Sequence, residues 1–106
     1  VAVVAFEALL NGTALFNHAN LKLPRAADAV LRLVLVTPDM HRVHHSQHRA
    51  EHDSNYGFAL SVWDRMMGTY VAQPKEGHDG MTVGLQWQDN RPADLGWSLT
   101  LPFRKP

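Results

Sequence analysis

Residues 1–16, VAVVAFEALLNGTALF, are largely apolar, interrupted by Glu7, Asn11 and Gly12, and predict one helix ending at the polar break Asn17-His18-Ala19-Asn20. Pro24 can open a second helix. Across 24–36 the charged residues Arg25, Asp28 and Arg32 recur at spacings of three and four among Ala, Val and Leu, which predicts an amphipathic helix with a narrow polar stripe. So large an apolar share suits burial between helices or at a membrane interface, as well as an ordinary core. Thr37-Pro38-Asp39 forms a compact helix start, with Thr as the cap, Pro where no amide donor is needed and Asp near the positive end of the dipole. The helix it opens is expected to continue to Asp53-Ser54-Asn55, three residues that favour caps and turns. Another apolar helix, about 57–67, should stop at Gly68. Beyond it, 69–73 and 81–87 read as short strands around a loop at 74–80. The expected fold is mainly α: a membrane-associated helical segment with a short irregular or β-containing C-terminal tail.

Composition narrows the chemistry. The 106 residues suffice for one small domain, and ten Lys plus Arg against ten Asp plus Glu give no net charge, which argues against nucleic acid as a partner. With no cysteine, any metal must sit on His, Asp or Glu. The chain opens Val1-Ala2-Val3-Val4 without an initiator Met or a cleavable leader, and so reads as the inside of a longer polypeptide. Its longest apolar stretch falls short of the roughly 20 residues that span a bilayer, leaving room only for the end of a membrane helix.

Five of the seven histidines lie between residues 41 and 52: His41, His44, His45, His48 and His52. On one continuous helix they fall within a face about 100° wide, with His41 to His45 spanning roughly 6 Å and His52 about 16 Å away. The first three can address one metal site or two adjacent ions, with His48 intermediate. Neutral imidazole offers a lone pair to a metal while its second nitrogen donates elsewhere, and suits Zn, Cu, Fe and Ni better than Mg or Ca.

Four segments together resemble a known family: Phe16-Asn17-His18-Ala19-Asn20; Thr37-Pro38-Asp39-Met40-His41-Arg42-Val43-His44-His45-Ser46; Asn55-Tyr56-Gly57; and Ser61-Val62-Trp63-Asp64-Arg65-Met66-Met67-Gly68-Thr69-Tyr70. In order and spacing they are similar to the C-terminal half of the fatty acid hydroxylase/sterol desaturase superfamily, over about residues 1–87. The resemblance implies an integral membrane oxidoreductase that uses a histidine-bound dinuclear iron centre and O2 to hydroxylate or desaturate a lipid, of the sterol or fatty acyl class. It makes His41, His44 and His45 metal ligands, His18 a further ligand and His48 an additional candidate, while His52 and His78 have no counterpart. It also implies a separate electron-transfer partner and places this segment at the cytoplasmic face of the membrane. Family members carry upstream boxes of roughly HxxxH and HxxHH that this sequence lacks, so the isolated chain is expected to be inactive and to hold little metal, with Zn as an alternative guest.

Other residues carry weaker signals. Asp64 is a candidate acceptor for a ligand histidine, with helix capping as the alternative. Asn55-Tyr56-Gly57 reads as a turn that orients the histidine helix, Met66 and Met67 as packing or lipid-facing residues, and Glu51 and Asp53 as a solvated helix end. Two other function classes compete with the lipid oxidoreductase: a non-catalytic histidine-rich metal-binding module, and an interaction domain whose histidine face charges below about pH 6.5.

Overall fold

A computed structural model describes residues 1–104. In chain order the helices are α1 (Ala2–Asn17), α2 (Arg25–Leu31), α3 (Pro38–His44), α4 (Arg49–His52), α5 (Val62–Met67), α6 (Gly77–Gly80) and α7 (Leu95–Thr100). Two 3-10 turns flank α7, at Arg91–Ala93 and Leu101–Phe103. The protein is thus mainly α, and among the described residues the extended segments make only two isolated antiparallel bridges, Leu35 to Leu60 and Ser46 to Val83. The strands expected at 69–73 and 81–87 do not form. Val83 is the bridge residue of the second segment, and both segments spend their backbone groups on loops instead of on each other.

The radius of gyration is 15.7 Å, against about 13 Å for a compact chain of this length. Most of α1 is uncovered: Val3, Val4, Phe6, Leu9 and Leu15 all lie exposed along it, and only Asn17 in its last turn is buried. Among the described residues no helix is long and apolar enough to cross a membrane.

The core forms around α3. Thr37 caps it as the sequence predicts, its side chain accepting the Met40 amide, with Pro38 in the first turn. Val36, Met40 and Val43 are the buried hydrophobic residues there, and most of what packs around them is polar. Buried polar groups need partners, and Asn55 and Asp64 have them, whereas His41 Nδ1 and Asn17 Oδ1 are buried without one. Asn55, fully buried, donates to the Met40 carbonyl at 2.9 Å and the Val71 carbonyl at 2.8 Å, and accepts the Val71 amide at 2.9 Å. It adopts a left-handed φ of 49°, which Asn tolerates better than most side chains. Asp64 accepts the Tyr56 and Gly57 amides, both at 2.7 Å, and the Thr69 hydroxyl at 2.6 Å. Gly57 is required by this close approach: a Cβ there would lie 2.7 Å from the Leu60 carbonyl and 2.8 Å from Asp64 Oδ2.

Two expected helices, besides the histidine helix, are shorter in the structure. The second stops at Leu31, because β-branched Val34 and Val36 lead into the extended residue before Pro38 and pair with 59–61 through Val36 N–H to Ala59 O and Ser61 N–H to Val34 O. Buried Arg32 closes that corner. It pairs with Asp28, donates to the Ala72 carbonyl at 2.8 Å, and its own carbonyl accepts Ser61 Oγ and Arg65 Nη2. The last apolar helix begins at Val62 and not near 57, since 57–60 is taken up by the Asp64-bound turn and the Leu35 bridge. Its end is as predicted, with Gly68 left-handed at φ 71°.

Removing the Asp64 carboxylate strands two backbone amides and a hydroxyl under the α3 core. Asp64→Ala is expected to cost about 3 kcal/mol or more in urea denaturation, and Gly57→Ala about 1–3 kcal/mol. A loss below about 1 kcal/mol for Asp64→Ala contradicts this account.

Candidate metal centre

His18 follows the last residue of α1, where its Nδ1–H donates to the Ala14 carbonyl at 2.9 Å, an oxygen that also accepts the His18 amide at 3.1 Å. Asn17 beside it is pinned to the Phe58 carbonyl at 2.7 Å, which fixes where His18 enters the site. His41 and His45 are four residues apart at the end of α3, so their side chains stand one turn apart on the same face. That face meets the C-terminal end of α1.

The result is a triangle of three Nε2 atoms. His18 to His41 is 3.1 Å, His18 to His45 is 3.3 Å and His41 to His45 is 3.0 Å. In a neutral imidazole each nitrogen carries either a proton or a lone pair, never both. Three nitrogens in mutual contact therefore cannot all be hydrogen-bonded to one another, since at least one pair meets with like groups. The His18 ring is already decided: a carbonyl can only accept, so Nδ1 holds the proton and Nε2 presents its lone pair to the centre. A cation bound by three imidazoles at about 2.0–2.1 Å requires edges between about 2.9 Å, for right angles, and about 3.3 Å, for tetrahedral ones. The observed edges lie in that interval. The three residues therefore fit a metal on geometric and donor-set grounds.

Electrostatics agree. Burial, followed by neighbouring His45, His18 and His44, pushes His41 from 6.5 down to about 4. Burial and then His44 and His18 lower His45 as well. Both rings are thereby held in the neutral form that a metal requires.

His44 stands beside the triangle, its ring centroid 5.5 Å from that of His41 and 5.4 Å from that of His45. Its Nδ1–H donates to the Ser54 carbonyl at 2.8 Å, leaving the Nε2 lone pair free as in His18. Tyr56 meets the His44 ring edge-on at 5.7 Å.

His48 is placed elsewhere. The helix expected to run through 41–52 breaks after His44 and restarts at Arg49, so the single five-histidine face does not exist. Ser46 explains the break: its hydroxyl accepts the His48 amide at 3.1 Å and donates to Glu51 at 2.5 Å, while Val83 pairs with its backbone. His48 caps α4 and faces Glu76 at 3.6 Å, and His52 donates through Nδ1 to the Ser46 carbonyl at 3.0 Å. His78 lies near Asp39, 4.0 Å away.

Glu51 is buried, contrary to the solvated helix end expected of it. Burial opposes its ionisation, yet the Ser46 hydroxyl and the Lys75 amide at 2.6 Å outweigh it and hold the carboxyl below its ordinary value. Asp53 remains exposed beside Arg49. Asp64 binds backbone amides and the Thr69 hydroxyl, not a histidine, and Met66 and Met67 are exposed. Asn55 and Gly57 support the site through α3, a role their Asn-Tyr-Gly turn sequence signalled.

A family model described as Fatty acid hydroxylase matches residues 1–69, a stretch that contains all three triangle histidines and the Asp64 turn. The chain belongs to the fatty acid hydroxylase family. Among its relatives, Ornithine lipid hydroxylase OlsE of Rhizobium tropici is 38% identical over 74 residues, which cover 70% of this chain and 20% of that protein. Alkylglycerol monooxygenase of Homo sapiens is 42% identical over 52 residues, or 49% of this chain and 12% of the relative, and the Xenopus tropicalis protein of that name is 44% identical over 52 residues. The chain therefore spans a fifth or less of the curated relatives it matches. No solved structure matches it significantly.

The depressed His41 value sets a stability signature in metal-free protein. The unfolded ring takes a proton below about pH 6.5 and the folded one only near 4, so the contribution is present above 6.5 and is lost as pH falls through this window. Urea midpoints measured in chelator should fall from pH 7 to pH 4, and His41→Gln should flatten the decline. A midpoint independent of pH over that range would count against the buried neutral ring.

Proposed function

We propose that this chain forms part of the metal core of an iron-dependent, O2-using membrane enzyme that oxidises a C–H bond of a lipid. The observation that carries the reading is the Nε2 triangle of His18, His41 and His45, formed within the segment matched by the fatty acid hydroxylase family. His18, His41 and His45 would hold one iron, and His44, with its lone pair freed by Ser54, would serve the same or a second iron. The dinuclear centre would be completed by histidines of the longer protein, in keeping with the small share of each relative that this chain covers. Iron bound there supplies the open-shell chemistry that lets O2 attack an unactivated C–H bond, with electrons from a separate redox partner.

The chain's own residues would do three things. The Ala14 and Ser54 carbonyls hold the protons of His18 and His44 on Nδ1, so that Nε2 always faces the metal. The protein around α3 keeps water from His41 and so keeps it unprotonated. Asn55 holds the α3 backbone at the turn that bears His41. The lipid would be of the sterol or acyl class, or an ether or amino-acid lipid like those named for the relatives. Exposed Val3, Val4, Phe6 and Leu9 on α1 support contact with membrane or with the rest of an integral membrane protein. The competing acid-responsive surface draws less support, because the helix breaks after His44 and the five histidines do not share one face.

The test is metal content and oxygen-dependent lipid oxidation in the intact protein, prepared without chelator or histidine tag. Iron should be present in wild type, and in His41→Ala and His44→Ala/His45→Ala both iron and turnover should fall to background. Iron unchanged in these variants would falsify the ligand assignment, and full iron occupancy with no oxidation of any lipid tested would point to the non-catalytic metal-binding module.

A further inference from the structure

A cavity of about 400 Å³, within the range of small-molecule sites, lies against His44 and His45. His44 and His45 form one wall, and Gly84, Leu85 and Trp87 form another. The surface it exposes is mostly apolar, although Ser46, Gln47, His52 and Gln86 also line it, and it contains no Lys, Arg, Asp or Glu. A second cavity, of about 730 Å³, is by contrast ringed by Arg25, Asp28, Arg32, Asp39 and His78, and is too charged to receive a hydrocarbon. We infer that residues 84–87 wall a channel that seats the alkyl chain of the lipid against the His44 and His45 side of the metal centre, with Trp87 setting which chains fit. The inference rests on the proposed lipid oxidation for the identity of the occupant. Its wall lies beyond residue 69, where the family match ends.

The tail is fixed to the metal helix by backbone bonds. Gln47 N–H donates to the Thr82 carbonyl at 3.0 Å, Gly84 N–H to the His45 carbonyl at 2.8 Å, and Ser46 pairs with Val83 between them. Gly84 then turns with φ of 96°, a conformation glycine adopts without penalty, and the chain continues along the cavity to Leu85 and Trp87. Trp87 is braced from behind. Its ring meets buried Trp97 edge-on at 5.0 Å, and Trp97 sits in α7, which Asp94 caps through the Trp97 amide at 2.6 Å. The Arg104 guanidinium lies 5.6 Å over the other ring of this pair, that of Trp97. An apolar wall held this way beside two ligand candidates can position one carbon of a chain, whereas a charged headgroup meets no Lys, Arg, Asp or Glu in the cavity to neutralise it.

The test uses the intact protein in detergent micelles and a long-chain fatty alcohol carrying a mid-chain diazirine, photolysed and mapped by peptide mass spectrometry. Residues 84–87 should be labelled, and excess plain alcohol should abolish the label. Trp87→Ala should raise KM for the lipid about tenfold and shift chain-length preference towards longer chains at unchanged metal content, and Trp87→Phe should restore most of the preference. Labelling confined to other segments, together with a KM and chain preference in Trp87→Ala equal to wild type, overturns the channel. Labelling at 84–87 in a protein that oxidises no lipid keeps the channel and refutes the reaction. If Trp87→Ala fails to hold metal, the labelling pattern of wild type decides alone.

Discussion

Three imidazole nitrogens drawn within 3.3 Å of one another form an arrangement that hydrogen bonding among them cannot satisfy, because each nitrogen has one proton or one lone pair to offer. Holding that arrangement costs free energy, and the rest of the fold is organised to sustain it. One ring is oriented by the helix it terminates, one is enclosed in the core, and the third is set by a helical spacing of four. A bound cation would turn the repulsive pair into shared ligation, and so would stabilise the native state that assembles the site.

The means of support is a polar core. Asn55 and Asp64, with Ser46 and Glu51, are buried and collect backbone donors and acceptors from segments far apart in sequence. Such networks have geometric requirements that a hydrophobic cluster lacks, so they fix the angle and height of α3 more tightly than Val36, Met40 and Val43 do alone. Small size makes this useful. A chain this short buries few apolar side chains, and directional bonds give its centre a single arrangement where close packing cannot.

Much of the site could be read from residue order. Thr37-Pro38 carried the start of α3, Gly68 the end of α5, and the His41-x-x-His44-His45 spacing the convergence of two of the three Nε2 atoms, since a helix places residues four apart on one face. The four motif segments carried the family, and with it the suspicion that His18 belongs to the centre. One misread portion is where a short side chain competes with the backbone. The hydroxyl of Ser46 ends the histidine helix in favour of bonds to His48 and Glu51, and this removes His48 and His52 from a face that helical periodicity alone had given them. Asp94, which caps α7, was the overlooked local signal in the tail.

Sequence by itself determined which chemistry is available: neutral nitrogen donors, no thiolate, a helix start before a histidine triplet, and a glycine beneath the Asp64 carboxylate. Tertiary structure decided which donors meet. His18 is 23 residues from His41, and the distance between them depends on Asn17 reaching Phe58 and on α1 packing against α3, contacts that no periodicity within either segment encodes. The role of 82–87 was decided in the same way, by backbone bonds to His45 and Gln47 that leave no mark on the order of the residues, because any side chain can accompany an amide to a carbonyl.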